Sequence, residues 1–243
     1  MELKICHLYP DILNLYGDLG NVLCLRRRLE WRGIESSVTR VPLGSSLRLS
    51  DYDMLFIGGG QDFEHELLAA ELKRGGGLEL RSAIEDGMCT LSICGGFQML
   101  GRQFKTAEGK SFDFAGVLDM HTVADRERMT GDYKFRCGES ASGSIVVGFE
   151  NHSGKTRLGP SLQPLGTVIS GHGNNGEDGT EGAHYKNCYG SYSHGPLLPK
   201  NPEFCDHILL TALRRKYGDV SLSPLADTLE NAAHDYMVRR LTK

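Results

Sequence analysis

Two short, largely apolar runs that end abruptly in glycine constrain this chain more than anything else in its sequence. Tyr52 to Ile57 runs into Gly58-Gly59-Gly60, and Cys89 to Ile93 runs through Cys94 into Gly95-Gly96. Runs without polar alternation are what strands buried on both faces look like, and such strands belong to parallel sheets covered by helices. Glycine at their carboxyl ends marks the side of an open α/β sheet where loops bind ligands. Leu3 to Leu8 reads as another buried strand, and Glu35 to Val41 as a fourth. Between them Asn21 to Trp31 carries Val22, Leu25 and Leu29 at helical spacing. A helical stretch is expected from Asp62, interrupted at Gly75-Gly76-Gly77 and resumed over Leu78 to Asp86, and a further helix starts over Gly95 to Arg102. The alternation predicts an α/β fold with a mostly parallel sheet and helices on both faces.

From about Val117 to Gly195 the pattern changes. Short apolar segments (Val117 to Leu118, Ser144 to Phe149, Leu165 to Ile169, Cys188 to Ser193) alternate with polar, glycine-rich turns, and they read as antiparallel or mixed strands extending the same sheet. Gly171 to Gly182 reads as a long loop of the kind that carries function. Two C-terminal helices, Glu203 to Tyr217 after Pro202 and Pro224 to Leu241, are expected to cover the sheet, so residues 1–243 form one domain. A net charge of -4 argues against broad attraction to nucleic acid or an anionic membrane. Arg26, Arg27 and Arg28 on the first helix read as a solvated face. No apolar run is long enough to span a bilayer and no secretory leader is visible, which points to the cytoplasm. Seven scattered cysteines without a C-x-x-C pair are read as buried thiols of a reducing compartment.

Cys94 is the exception. In Leu91-Ser92-Ile93-Cys94-Gly95-Gly96-Phe97-Gln98 it sits between strand and helix, with a small residue two before it and glycine two after. That pattern suits a nucleophile on a sharp, strained turn. The helix N-terminus favours the thiolate, and the Gly95 amide points where an oxyanion would form. Gly58-Gly59-Gly60 is the candidate for a second donor. His194, at the end of the strand Ser191-Tyr192-Ser193 and before Gly195-Pro196, is the candidate base. His121, His152, His172 and His184 lack metal-ligand spacing, so no metal site is expected, and His152 beside Asn151 reads as structural or partner-facing. The glycines match neither dinucleotide nor mononucleotide phosphate loops.

Together Leu91 to Leu100, Phe56 to Gln61 and Tyr189 to Pro196 resemble the cobyric-acid-synthase-like branch of class I glutamine amidotransferases. Leu13 to Asp18, Arg128 to Asp132, Gly148 to His152, Gly173 to Asn175 and His184 to Asn187 extend the likeness to the glutaminase subunits of lipid II isoglutaminyl synthases, over nearly the whole chain. The resemblance implies a flavodoxin-like class I glutaminase in which Cys94 is the nucleophile, His194 the general base, and Gly60 and Gly95 the oxyanion donors. It also implies that Arg128 binds the glutamine carboxylate and that Gln98 shapes the same pocket. No cofactor is implied in this chain. ATP and magnesium belong to a partner resembling a Mur ligase, which forms a heterodimer with it and amidates the D-glutamate of lipid II.

One position departs from the wider class, where a glutamate often lies two residues after the histidine; here it is Pro196. Asp18 and Glu203 are the candidates to orient His194, with helix-cap or surface roles as the simpler readings. Within the same architecture the competing readings are an amidotransferase subunit for another acceptor, such as a corrinoid, and a cysteine hydrolase of a different amide. Outside it, the competitor is a catalytically inert scaffold, against which Cys94 and His194 both speak.

Overall fold

The computed structural model describes residues 1–61 and 64–242; the expected helix start at Asp62 lies outside them. The chain opens with β1 (Glu2–Leu8), α1 (Leu19–Glu30), β2 (Glu35–Val41), β3 (Met54–Ile57), α2 (His65–Glu71), α3 (Gly77–Glu85), β4 (Cys89–Ile93) and α4 (Gly95–Gln98). Every residue of β3 and β4 is buried, as their uninterrupted patterns require. The glycine run at residues 75–77 interrupts the helix as expected, with a kink rather than a loop. A single wide turn over Leu72–Gly76 joins α2 to α3, with Gly75 at φ 127° absorbing the kink. α4 is shorter than expected because the segment after it captures its terminal carbonyls. Ala115, Gly116 and Leu118 donate to the carbonyls of Met99, Gly101 and Leu100.

The second half holds β5 (Gln103–Lys105), β6 (Ser111–Asp113), β7 (Met120–Cys137), β8 (Ile145–Leu158), β9 (Gly166–Ser170), β10 (Thr180–Glu181), β11 (Ala183–Tyr185), β12 (Cys188–Ser191), α5 (Pro202–Tyr217) and α6 (Thr228–Arg240). The main sheet runs β11-β12-β4-β3-β1-β2, parallel except for the edge strand β11. The α/β class is therefore as expected, but the segments between are not all extensions of this sheet. Only β11 and β12 join it. β5 to β10 build a second, mixed sheet around the long antiparallel pair β7 and β8. The charged stretch Asp125 to Arg128 lies within β7, exposed at all four residues, where the pairing with β8 shifts register between Ala124 and Met129. The two sheets meet at a bridge in which the His194 amide donates to the Phe149 carbonyl at 2.8 Å.

Gly171 to Gly182 is packed rather than free. The Glu150 carboxylate accepts from the amides of His172 and Gly173, while the buried side chains of Asn174 and Asn175 donate to the carbonyls of Gly182 and of Thr156 in β8. α4 is pressed onto the sheet so closely that a Cβ at Gly190 of β12 would lie 2.1 Å from the Phe97 ring. Arg28 also departs from its solvated reading. It is 2% exposed and forks between Asp206 and Asp227 at 2.7 to 2.8 Å, with Arg32 reaching the same Asp206. Those bidentate pairs fasten α5 and the lead into α6 onto α1. Arg28→Ala leaves two carboxylates short of their counter-ion and is expected to cost about 3 kcal/mol, read as a lowered denaturant midpoint.

Candidate active site

Cys94 sits where β4 ends and α4 begins, at φ 46° and ψ -106°, a left-handed conformation that is strained for a residue with a side chain. The strain is held on three sides. The Cys94 amide donates to Ser191 of the neighbouring β12 at 2.8 Å, and the Gly96 amide donates to the Gly58 carbonyl at 3.1 Å. A Cβ on Gly95 would lie 2.8 Å from the Gly60 nitrogen, so the two glycine backbones touch. The backbones of Gly60 and Gly95 thus meet at the Cys94 turn. The loop itself is pinned by Glu64, whose carboxylate accepts from the Gln61 amide at 2.6 Å. Elsewhere burial pushes the thiols of Cys6, Cys89 and Cys137 up to about 12, which keeps them protonated and inert.

His194 is wholly buried beside this turn, and the carboxylate next to its ring is that of Asp18. The Asp18 carboxylate, also wholly buried, lies 3.4 Å from His194 Nδ1 through one oxygen and accepts the Gly59 amide at 2.6 Å through the other. That leaves Nε2 for the thiol. Asp18 precedes α1 but does not cap it with its side chain; the Leu19 amide is taken by Asn14 instead, at 2.8 Å. The cap reading for Asp18 therefore gives way, and Glu203, in the first turn of α5, lies exposed. Pro196 packs against α1, with its ring 2.5 Å from where a Gly20 Cβ would stand. Burial by itself would lower the His194 imidazole, but the negative charges of Cys94 and Asp18 outweigh it and push it up to about 10. The imidazole is thus held in its protonated form beside the thiol.

The strand leading to His194 is fixed by a residue without any signal in the sequence. Glu181, fully buried, accepts from Tyr133 at 2.9 Å, from the Ser191 hydroxyl at 2.7 Å and from the Tyr192 amide at 2.9 Å. Burial raises its carboxyl to about 7 against those three bonds.

Cys94 and His194 open into a cleft of about 470 Å³ that Gly60, Gln98 and Arg128 also line. Gly95 stands directly behind Gly60. All six candidate residues therefore converge, although Arg128 comes from β7 of the second sheet. Its Nε donates to Asn151 Oδ1 at 2.9 Å and its Nη2 to the Asn151 carbonyl at 3.1 Å, and Asn151 in turn donates to the Tyr16 hydroxyl at 2.6 Å. Gln98 is locked between Tyr192 at 3.1 Å and His65 at 3.2 Å. Tyr16, held at φ 53°, lies edge-on to the His194 ring with centroids 5.0 Å apart, and it screens the base from solvent. His152, read from the sequence as structural or partner-facing, lines the cleft. The loop at Gly171 to Gly182 does not border it.

Residues 4–202 match the model of the CobB/CobQ-like glutamine amidotransferase domain. The chain belongs to this family. Among its relatives, the amidotransferase is 44% identical over 215 residues to a Staphylococcus aureus protein named lipid II isoglutaminyl synthase (glutamine-hydrolyzing) subunit GatD, covering 88% of this chain and 86% of that one. It is 39% identical over 238 residues to the Streptococcus pneumoniae protein of the same name, covering 97% of this chain and 90% of that one. Its fold is shared with a glutamine amidotransferase from Thermotoga maritima at a TM-score of 0.57 and 15% identity, covering 99% of this chain and 92% of that one.

Two substitutions probe the base. In the amidotransferase a Gly59→Ala Cβ would land 2.4 Å from His194 Cε1 and displace the ring; glutamine hydrolysis is expected to fall at least about 100-fold. Asp18→Asn removes a charge that holds the imidazolium up. The rate is expected to fall roughly 100-fold or more, and the basic limb of the pH–rate profile to move to lower pH, since the His194 pKa drops.

Proposed function

We propose that this chain is the glutaminase subunit of a lipid II isoglutaminyl synthase, with Cys94 as nucleophile and His194 as proton carrier. The observation that carries the reading is the buried Asp18 and His194 pair facing a strained Cys94, in a cleft that also holds an arginine. The naming of the two GatD relatives, each matched over most of both chains, supports the acceptor.

In this mechanism glutamine enters with its α-carboxylate on Arg128, whose planar guanidinium suits a bidentate contact. The Cys94 thiolate adds to the side-chain amide carbon, and the oxyanion is held by the Gly60 and Gly95 amides, each donor worth about 3 kcal/mol. The imidazolium of His194 gives its proton to the departing nitrogen, so ammonia leaves and a glutamyl thioester remains. Water then attacks the thioester carbon while His194 Nε2 takes its proton, and collapse returns glutamate and the thiolate. Asp18 keeps the imidazole in the tautomer that presents Nε2 to both steps. Gln98 shapes the wall beside the thiol.

Ammonia released into bulk water at neutral pH would be protonated and lost as a nucleophile. The chain therefore works in a heterodimer with an ATP-dependent, Mur-ligase-like subunit, MurT, which amidates the D-glutamate α-carboxyl of lipid II to D-isoglutamine. ATP and magnesium are held by that subunit and this chain carries no cofactor. Among the described residues no helix is long and apolar enough to cross a membrane, and an ATP-dependent reaction of this kind is read as a cytoplasmic one.

The test is glutamate release by the complex co-expressed with the ligase subunit and supplied with ATP and lipid II. Cys94→Ala is expected to abolish release, and Arg128→Ala to raise KM for glutamine roughly 100-fold with a smaller change in kcat. Lipid II amidated from glutamine by the Cys94→Ala complex would overturn the assignment of the nucleophile.

A further inference from the structure

Most polar side chains lining the cleft already have protein partners. Arg128 is held by Asn151, Asn151 by Tyr16, and Gln98 by Tyr192 and His65. His152 differs. Its Nδ1 lies 2.8 Å from the Gly154 carbonyl, and a carbonyl has no proton to give, so Nδ1 carries the hydrogen and Nε2 the lone pair. The ring is stacked on Tyr192 with centroids 3.6 Å apart and planes 11° from parallel. Tyr192 is fixed in turn by Thr156 at 2.6 Å and by Gln98. The imidazole therefore cannot tilt to find another donor. Its Nε2 is buried without a hydrogen-bond partner among the described residues, in a side chain only 3% exposed that borders the cleft.

An unpaired buried acceptor of this kind is costly to the fold, and a ligand that brings a donor recovers that cost. Burial above all, with the positive charges of His194, Arg128 and His172, outweighs the Gly154 bond and leaves the ring neutral, its pKa pushed down to about 3. His152 is thus a fixed, uncharged acceptor across the range in which His194 stays protonated. Glutamine brings N–H donors in two places. The side-chain amide must go to Cys94, which leaves the α-ammonium.

We propose that His152 reads the α-amino group of the substrate, its Nε2 accepting a hydrogen bond from the ammonium while Arg128 takes the α-carboxylate. This rests on the cleft being the glutamine site. The two contacts come from one strand pair, Arg128 on β7 and His152 on β8, whose cross-strand partners are Met129 and His152. With the amide carbon fixed at Cys94, an acceptor and a cation at separate points select an L-α-amino acid over a simple γ-amide. A neutral acceptor does this without adding a charge that would disturb the thiolate and imidazolium pair.

The experiment compares L-glutamine with 5-amino-5-oxopentanoate, which is glutamine without its amino group, as substrates of the complex with its ligase subunit. His152→Phe keeps the ring and the stack on Tyr192 but has no acceptor. Its kcat/KM for glutamine is expected to fall roughly 10- to 100-fold, with kcat/KM for the desamino amide within about twofold of wild type, so that the preference for glutamine shrinks by the whole loss. Equal losses on both substrates, or no loss on glutamine, would overturn the proposal. Wild type provides a measurement that does not depend on the variant folding: equal kcat/KM for the two substrates would also overturn it. A wild-type complex that hydrolyses neither compound would instead refute the glutaminase reading itself.

Discussion

The contact between the loop after β3 and the turn after β4 sets the geometry of the site. The Gly96 amide donates to the Gly58 carbonyl, and side chains at Gly95 or Gly96 would collide with Gly60, Gly58 or Ile57. Because the two backbones can touch, Gly60 is brought against the turn that carries Cys94. The same approach holds Cys94 at its strained φ, since its neighbours on both sides are fixed by hydrogen bonds to other strands. Strain of roughly 1–3 kcal/mol survives at such a point only when the surroundings over-determine it.

A second constraint is electrostatic. Asp18 and His194 are both removed from water, where an isolated charge would be costly. The cost is offset because the carboxylate lies against the imidazole, whose pKa it helps to raise, and because its other oxygen is satisfied by the Gly59 amide. Gly59 therefore serves twice. Its amide anchors the carboxylate, and its missing side chain makes room for the imidazole.

The main sheet supplies the reactive pair, whereas the second sheet supplies the arginine and the second histidine of the cleft. The bridge between Phe149 and His194 ties these halves together, so the wall that holds Arg128, Asn151 and His152 is registered against the base. Glu181 reinforces that junction by binding Tyr133 of one sheet and the Ser191 and Tyr192 backbone region of the other. The loop at Gly171 to Gly182 serves the same junction through Glu150 rather than bordering the cleft.

By itself the sequence determined the elements whose signals are local. The buried strands at Tyr52 to Ile57 and Cys89 to Ile93, the glycines after them, and Cys94 at a strand-to-helix joint follow from apolar runs and turn chemistry. His194 and Arg128 were legible through their motifs, although Arg128 lay in a charge run that reads locally as solvated surface. Only the tertiary structure decided the rest, because those decisions are pairings between distant segments. Asp18 looks like a helix cap until Asn14 is seen to bond the Leu19 amide and His194 is seen beside Asp18. Arg28 looks solvated until α5 brings Asp206 over it. Of the long β7 and β8 pair only Ser144 to Phe149 reads as a strand in the sequence, and only the register of the two strands against each other places His152 beside Arg128 at the cleft. Local patterns report which face of an element avoids water; which residues then meet across that face is set by how the elements pack.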